Sequence, residues 1–165
     1  MLYFSDGGVC APTAATNLCK YWYNRNPQKY AKICITSTWK STFRRFYFLM
    51  DTSKINGVAD TRIADAYIDY FSERGLECEA GFFDTTWSGK QIVKEINRNR
   101  PCHLVLHNHN RYGDHSVLAV GYIQYKYGSS YSTYIKIADG WTDHATRYVW
   151  GDCDGYWKYV AVAPK

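Results

Sequence analysis

Apolar positions along this chain follow two different rules, helical spacing before Pro101 and strand-like runs after it. From Ala11 onward they recur at Ala14, Ala15, Leu18 and Trp22, the spacing of one helical face, and Pro12 fits a first turn in which no backbone donor is missed. "TWKSTFRRFYFLM" sets Trp39, Phe43, Phe46, Tyr47 and Met50 on one stripe, and "TRIADAYIDYFSERG" does the same with Ile63, Tyr67, Tyr70 and Phe71 before stopping at Gly75. A further helix is predicted in "TWSGKQIVKEINRNRP", with Ser88 as its cap, Ile92, Val93 and Ile96 turned inward, and Pro101 as its stop.

After Pro101 the segments "CHLVLHN", "HSVLAVGYIQY", "STYIKIADG" and "YWKYVAVAP" are rich in Val, Ile and Tyr and are parted by Gly-, Ser- and Asn-containing turns. These predict an antiparallel sheet, with a hairpin around Gly128-Ser129-Ser130. The expected class is α+β. A single domain is expected, with a helical lobe over about residues 1–100, a β-lobe over about 101–165 and a cleft between them.

Composition narrows the partners. The net charge of +5 is mild and the basic residues are scattered, Arg44-Arg45 being the only adjacent pair, so no footprint for nucleic acid is present. No apolar run approaches the ~20 residues of a bilayer span, and the first residues lack a basic-then-apolar signal pattern. The nine residues ahead of Cys10 leave open a targeting or pro-segment trimmed from a longer parent. Six cysteines without a CxxC pair predict one disulfide or none. The 18% aromatic content suits a sugar- or peptide-binding cleft and equally a tyrosine-rich β-lobe.

Cys10 lies between the glycines of "DGGVC" and a helix start, where unpaired N–H groups and the macrodipole stabilise a thiolate. By itself this position also suits a buried structural cysteine. His115 opens the strand "HSVLAVGY" after a Gly-Asp turn, which presents an imidazole at a strand end, and Asp139 ends the next strand in "IADGW". If those strands pair as a hairpin, His115 and Asp139 come together as a base and its orienter. His103 and His107 would share a strand face, but nothing nearby adds ligand spacing, so no metal and no cofactor are expected. Asp143 and His144 read as an exposed loop beside the cleft, and "NHNRYGD" as its counterpart on the other side.

"DHSVLAVGY", followed by a strand and "DGW", resembles the His and Asn/Asp blocks of papain-like cysteine peptidases. "GGVCAPTAATNLCKYW" is similar to the cysteine block of the bacterial bacteriocin-processing (double-glycine-leader) and streptopain-like branches. The blocks keep the family's order, Cys then His then Asn/Asp, over residues 6 to 141. The resemblance implies a papain-like fold and hydrolysis of peptide or protein substrates through a thioester acyl-enzyme. Cys10 would be the nucleophile, His115 its base and later its acid, Asp139 the acceptor for the ring, and Trp141 a shield for the His–Asp contact. An exported or cell-surface protein is implied, with a cytoplasmic one as the alternative. One position departs from the family pattern, because the Gln expected six residues before the cysteine is Phe4. Ser5, a neutral Asp6 or a backbone N–H would have to serve as second oxyanion donor. Losing that donor costs ~100- to 1,000-fold in rate, which leaves a degenerate binding module, or an acyl-transfer variant on the same triad, as alternatives.

Overall fold

Small side chains let the first helix run through the middle of the molecule. The computed structural model describes residues 8–35, 38–84, 89–142, 145, 147–150 and 156–165. Helix α1 (Cys10–Arg25) is buried at every position from Ala11 to Cys19, because it is packed by α2 (Trp39–Leu49) on one side and by the sheet on the other. Alanines and threonines permit this close approach. The two buried hydroxyls are satisfied within the helix, Thr13 Oγ1 donating to the Val9 carbonyl at 2.8 Å and Thr16 Oγ1 to that of Pro12 at 2.7 Å. The single predicted face of α1 is thus widened into an all-round one over its first half.

Helix α3 (Thr61–Ser72) buries the stripe its periodicity predicts, whereas α2 buries Phe43 and Phe46 of its stripe and leaves Trp39 and Tyr47 half-buried, and Phe46, Tyr67, Tyr70 and Phe71 meet in one aromatic cluster. Phe46 stacks on Tyr70 with ring centroids 4.3 Å apart, an arrangement that adds ~0.5–1.5 kcal/mol beyond the area it buries. The buried phenols keep partners, since Tyr70 OH donates to the carbonyl of Ile33 and Tyr67 OH bonds His103 Nδ1 at 3.0 Å. Gly75, at φ +64°, supplies the left-handed turn that ends the α3 segment.

Among the described residues the strands form one sheet, ordered β1-β6-β2-β3-β4-β5 and antiparallel throughout. They are β1 (Cys78–Asp84), β2 (Cys102–His109), β3 (Gly113–Tyr127), β4 (Ser130–Ala138), β5 (Arg147–Trp150) and β6 (Tyr156–Pro164). Val105, Leu118, Val160 and Val162 join the core under α1 to α3, while Leu104, Leu106, Val117 and Ala119 join a second core with Ile92 of α4 (Lys90–Asn97). Both faces of the central strands are therefore covered, which explains why "LVL" and "SVLAV" read as unbroken apolar runs rather than as alternation.

Two strands fall outside the predicted scheme. β1 precedes Pro101 yet pairs with the C-terminal strand from Cys78↔Pro164 to Asp84↔Lys158, so the sheet draws on both halves of the sequence. β5 occupies part of the stretch expected to be an exposed loop, pairing from Tyr134↔Trp150 to Ile137↔Arg147. Ser88, Asp143, His144 and Cys153 lie outside the described residues. Cys10, Cys19, Cys34, Cys78 and Cys102 are free thiols. Among the described residues no helix is long and apolar enough to cross a membrane.

Candidate active site

Cys10 is the first residue of α1, and the residue before it, Val9, makes no side-chain cap. The first turn carries no acidic residue either, so its N–H groups and the positive end of the helix dipole remain available to an anion. Gly8 prepares this start. Its φ is +70°, and a Cβ there would lie 2.4 Å from the carbonyl oxygen of Ser53 and 2.9 Å from that of Lys54. The glycine that reads as a flexible turn is thus a point of tight contact with the loop between α2 and α3.

His115 stands near the start of β3, opposite Leu106 of β2, and is only 8% exposed. The register Leu118↔Ala138 brings the beginning of β3 beside the end of β4. Gly140, at φ +73°, then turns the chain, and a Cβ there would sit 3.2 Å from Thr13 Cγ2, which ties this turn to α1. Three segments far apart in sequence are so brought together on one cleft of about 460 Å³, lined by Cys10, Asp114, His115, Asp139 and Trp141 and by Ile55, Asn56 and Gly57 of the α2–α3 loop.

Cys10 and His115 line the same cleft, and each alters the ionisation of the other through side-chain hydrogen bonding and charge. Burial pulls the thiol toward its neutral form. The hydrogen bond and charge of His115, with backbone bonds from Ser116 and Ala11, outweigh that pull and hold the thiol below its ordinary value of 9.0. For His115, burial likewise opposes the charged form, but the bond to Cys10, the Asp139 carbonyl and the charges of both residues raise it above 6.5. Each group favours the charged form of the other.

Asp139 is placed beside His115, by an atom the sequence could not name. His115 Nε2 donates to the main-chain carbonyl of Asp139 at 2.7 Å, not to its carboxylate. A carbonyl can only accept, so Nε2 carries the proton and Nδ1 is left to face the sulfur. The carboxylate is 2% exposed and has its own work, accepting from Trp141 N at 3.0 Å and Tyr112 OH at 3.4 Å, with Arg147 Nε 4.0 Å away. It fixes the turn that carries the carbonyl.

Trp141 lies with its ring 4.9 Å from that of His115 and remains half exposed. A second aromatic, unforeseen from sequence, completes the surround: Tyr112 is stacked on His115 at 5.6 Å with planes 10° apart and touches Trp141 at 5.0 Å. The loop "NHNRYGD" is expected beside the cleft, but Tyr112 lies in the turn between β2 and β3, where no strand alternation says which way a side chain faces. Ser5 and Asp6 lie outside the described residues. His103 is buried against Tyr67 and, kept neutral by that burial, has its pKa pushed down to about 3. His107 bonds Asp60 Oδ2 at 2.9 Å. Among the described residues no three metal-binding side chains converge.

Helices leading into an antiparallel sheet, with a cysteine at a helix N-terminus and a histidine at a strand end lining one cleft, define the papain-like cysteine peptidase class of fold. The chain belongs to the Peptidase_C39-like family, whose model matches residues 3–161. No curated protein matches it.

Proposed function

We propose that the protein is a cysteine peptidase acting through Cys10, His115 and Asp139. The observation that carries this reading is the Cys10–His115 pair lining one open cleft, with each partner shifted by the other toward its charged state. The Cys10 thiolate adds to the scissile carbonyl of a bound peptide, and its electron pair displaces the carbonyl π electrons onto oxygen. The backbone N–H of Cys10, at the start of α1, is one donor to that oxyanion. Collapse of the adduct breaks the C–N bond as the His115 Nδ1 proton passes to the leaving amine, which leaves a thioester. Neutral His115 then takes a proton from water as it attacks the thioester, and the products are the carboxylic acid and the restored thiolate–imidazolium pair. Tyr112 and Trp141 limit water around the ring, and this strengthens the interactions that orient it.

The reading is tested by iodoacetamide at pH 6 followed by mapping of the labelled thiol. Cys10 is expected to react far faster than every other cysteine. Uniform sluggish labelling would support a binding module in place of an enzyme.

A sharper prediction follows from the main-chain acceptor. Asp139→Asn keeps the carbonyl and an acceptor for Trp141 N, so kcat/KM is expected to fall by no more than about tenfold, the scale of one lost charge interaction. Because the carboxylate's charge helps to raise His115, its loss moves the falling limb of the pH–rate profile to lower pH. A loss of ~10⁴-fold, as when an orienting carboxylate is replaced and the wrong tautomer results, would show instead that the side chain holds the ring.

A further inference from the structure

Ile55 is 93% exposed, and single exposed apolar residues are ordinary on protein surfaces. Its position and its support are not ordinary. It stands at the tip of the α2–α3 loop on the same cleft as Cys10, in a turn closed by paired backbone bonds of 2.8 Å between Ser53 and Gly57. Ser53 Oγ also accepts from the backbone N–H of Ile55 at 3.3 Å and of Asn56 at 3.2 Å. Gly8, two residues from the nucleophile, is packed against the carbonyls of that turn so closely that a Cβ would meet Ser53 O at 2.4 Å. The isoleucine is therefore held at a fixed offset from Cys10. On the same cleft Trp141 presents a half-exposed indole.

We propose that Ile55 is a specificity-determining residue, covering one apolar side chain of an extended peptide substrate; this rests on the peptidase reading above and names the substrate class for it. The free protein leaves this apolar surface in water, and a peptide that carries a matching aliphatic side chain removes it. Because the turn is already rigid, little ordering is lost when the peptide binds. Ile55 has an aliphatic side chain with no proton to exchange and no charge, so it acts on which peptide is held and not on the reactivity of the sulfur.

The test uses tripeptidyl chloromethyl ketones with a single Leu placed at each position in turn, or Ser in its place, and follows covalent capture of Cys10 by displacement of chloride. Iodoacetamide is run in parallel as the reagent without a peptide. In the unaltered protein, Leu at one position is expected to speed capture about tenfold over Ser, the lower end of what one apolar contact discriminates. In Ile55→Ser that preference is expected to fall within about twofold and in Ile55→Leu to return, with the iodoacetamide rate at Cys10 constant in all three. A Leu preference that survives Ile55→Ser, or none at any position while iodoacetamide still singles out Cys10, overturns the inference and leaves the peptidase reading standing. If iodoacetamide does not single out Cys10, the peptidase reading fails and the inference falls with it.

Discussion

Cys10→Ala is expected to abolish peptide hydrolysis, a loss of about 10⁴-fold or more, while the fold persists. Among the described residues lining the cleft, Cys10 carries a sulfur that is paired with an imidazole and placed at a helix N-terminus. The other described thiols lie in surroundings that oppose ionisation. Burial pushes Cys78 up to about 12, and also raises Cys19, Cys34 and Cys102. None of them can stand in for it. The fold survives because alanine keeps the Cβ and is the best helix former at a position that begins α1. The missing sulfur also borders an open cleft, so its loss leaves no sealed cavity in the core. Circular dichroism and the thermal midpoint, compared with the unaltered protein, check the fold, and a denatured protein substrate checks the activity. Cys10→Ser is a stricter control. It preserves a small polar atom but removes a group whose ionisation His115 can draw into range, and hydrolysis is expected to be lost there too. Undiminished hydrolysis in Cys10→Ala would end the proposal.

Much of this site was legible because its parts sit where local rules are strong. A helix start after Gly-Gly, a histidine at the head of an apolar strand, and Asp-Gly at the end of the next are each set by neighbours within a few residues. The hairpin between β3 and β4 then converts two local signals into one place. What was not legible depends on partners remote in sequence. β1 has no clean alternation because it lies at the sheet edge, and only its pairing with β6, about eighty residues on, makes it a strand. β5 is four residues long, too short for a period to show. The turn "SKING" carries an Asn-Gly signal, yet that it lines the cleft beside Cys10 follows only from the contact made by Gly8. The acceptor for His115 illustrates a more general limit. A sequence names side chains, whereas the atom that orients this ring belongs to the backbone, which every residue has. Asp139 was found for its carboxylate, and the carboxylate matters here for shaping the turn.

The pairing of charges decides the second large effect, that His115→Ala moves the reactivity of Cys10 to alkaline pH. With His115 present, the thiol ionises below its ordinary 9.0 although burial opposes it. Removing the imidazole takes away the hydrogen bond and the positive charge together and leaves the burial, so the thiol's pKa rises; the backbone bonds from Ser116 and Ala11 remain but are the smaller contributions. Alkylation at pH 6 should then collapse, and its rise with pH should move above that of the native protein, toward or beyond 9.0. The native profile of hydrolysis is expected to have two limbs with opposite causes. It should rise as the pair gives up its first proton and sulfur becomes anionic, and fall as the imidazolium, held above 6.5, gives up the second and can no longer protonate the leaving amine. In His115→Ala the falling limb loses its group altogether. Hydrolysis is expected to drop by about 10³-fold or more at neutral pH, since both the base and the acid are gone. His115→Gln separates the two effects. Its amide keeps a neutral hydrogen-bonding partner near the sulfur without a proton to give, so it too should lose hydrolysis and label only at raised pH. If Cys10 in either variant still alkylates at pH 6 at the native rate, the thiolate owes its stability to the helix terminus alone, and His115 has no part in activating it.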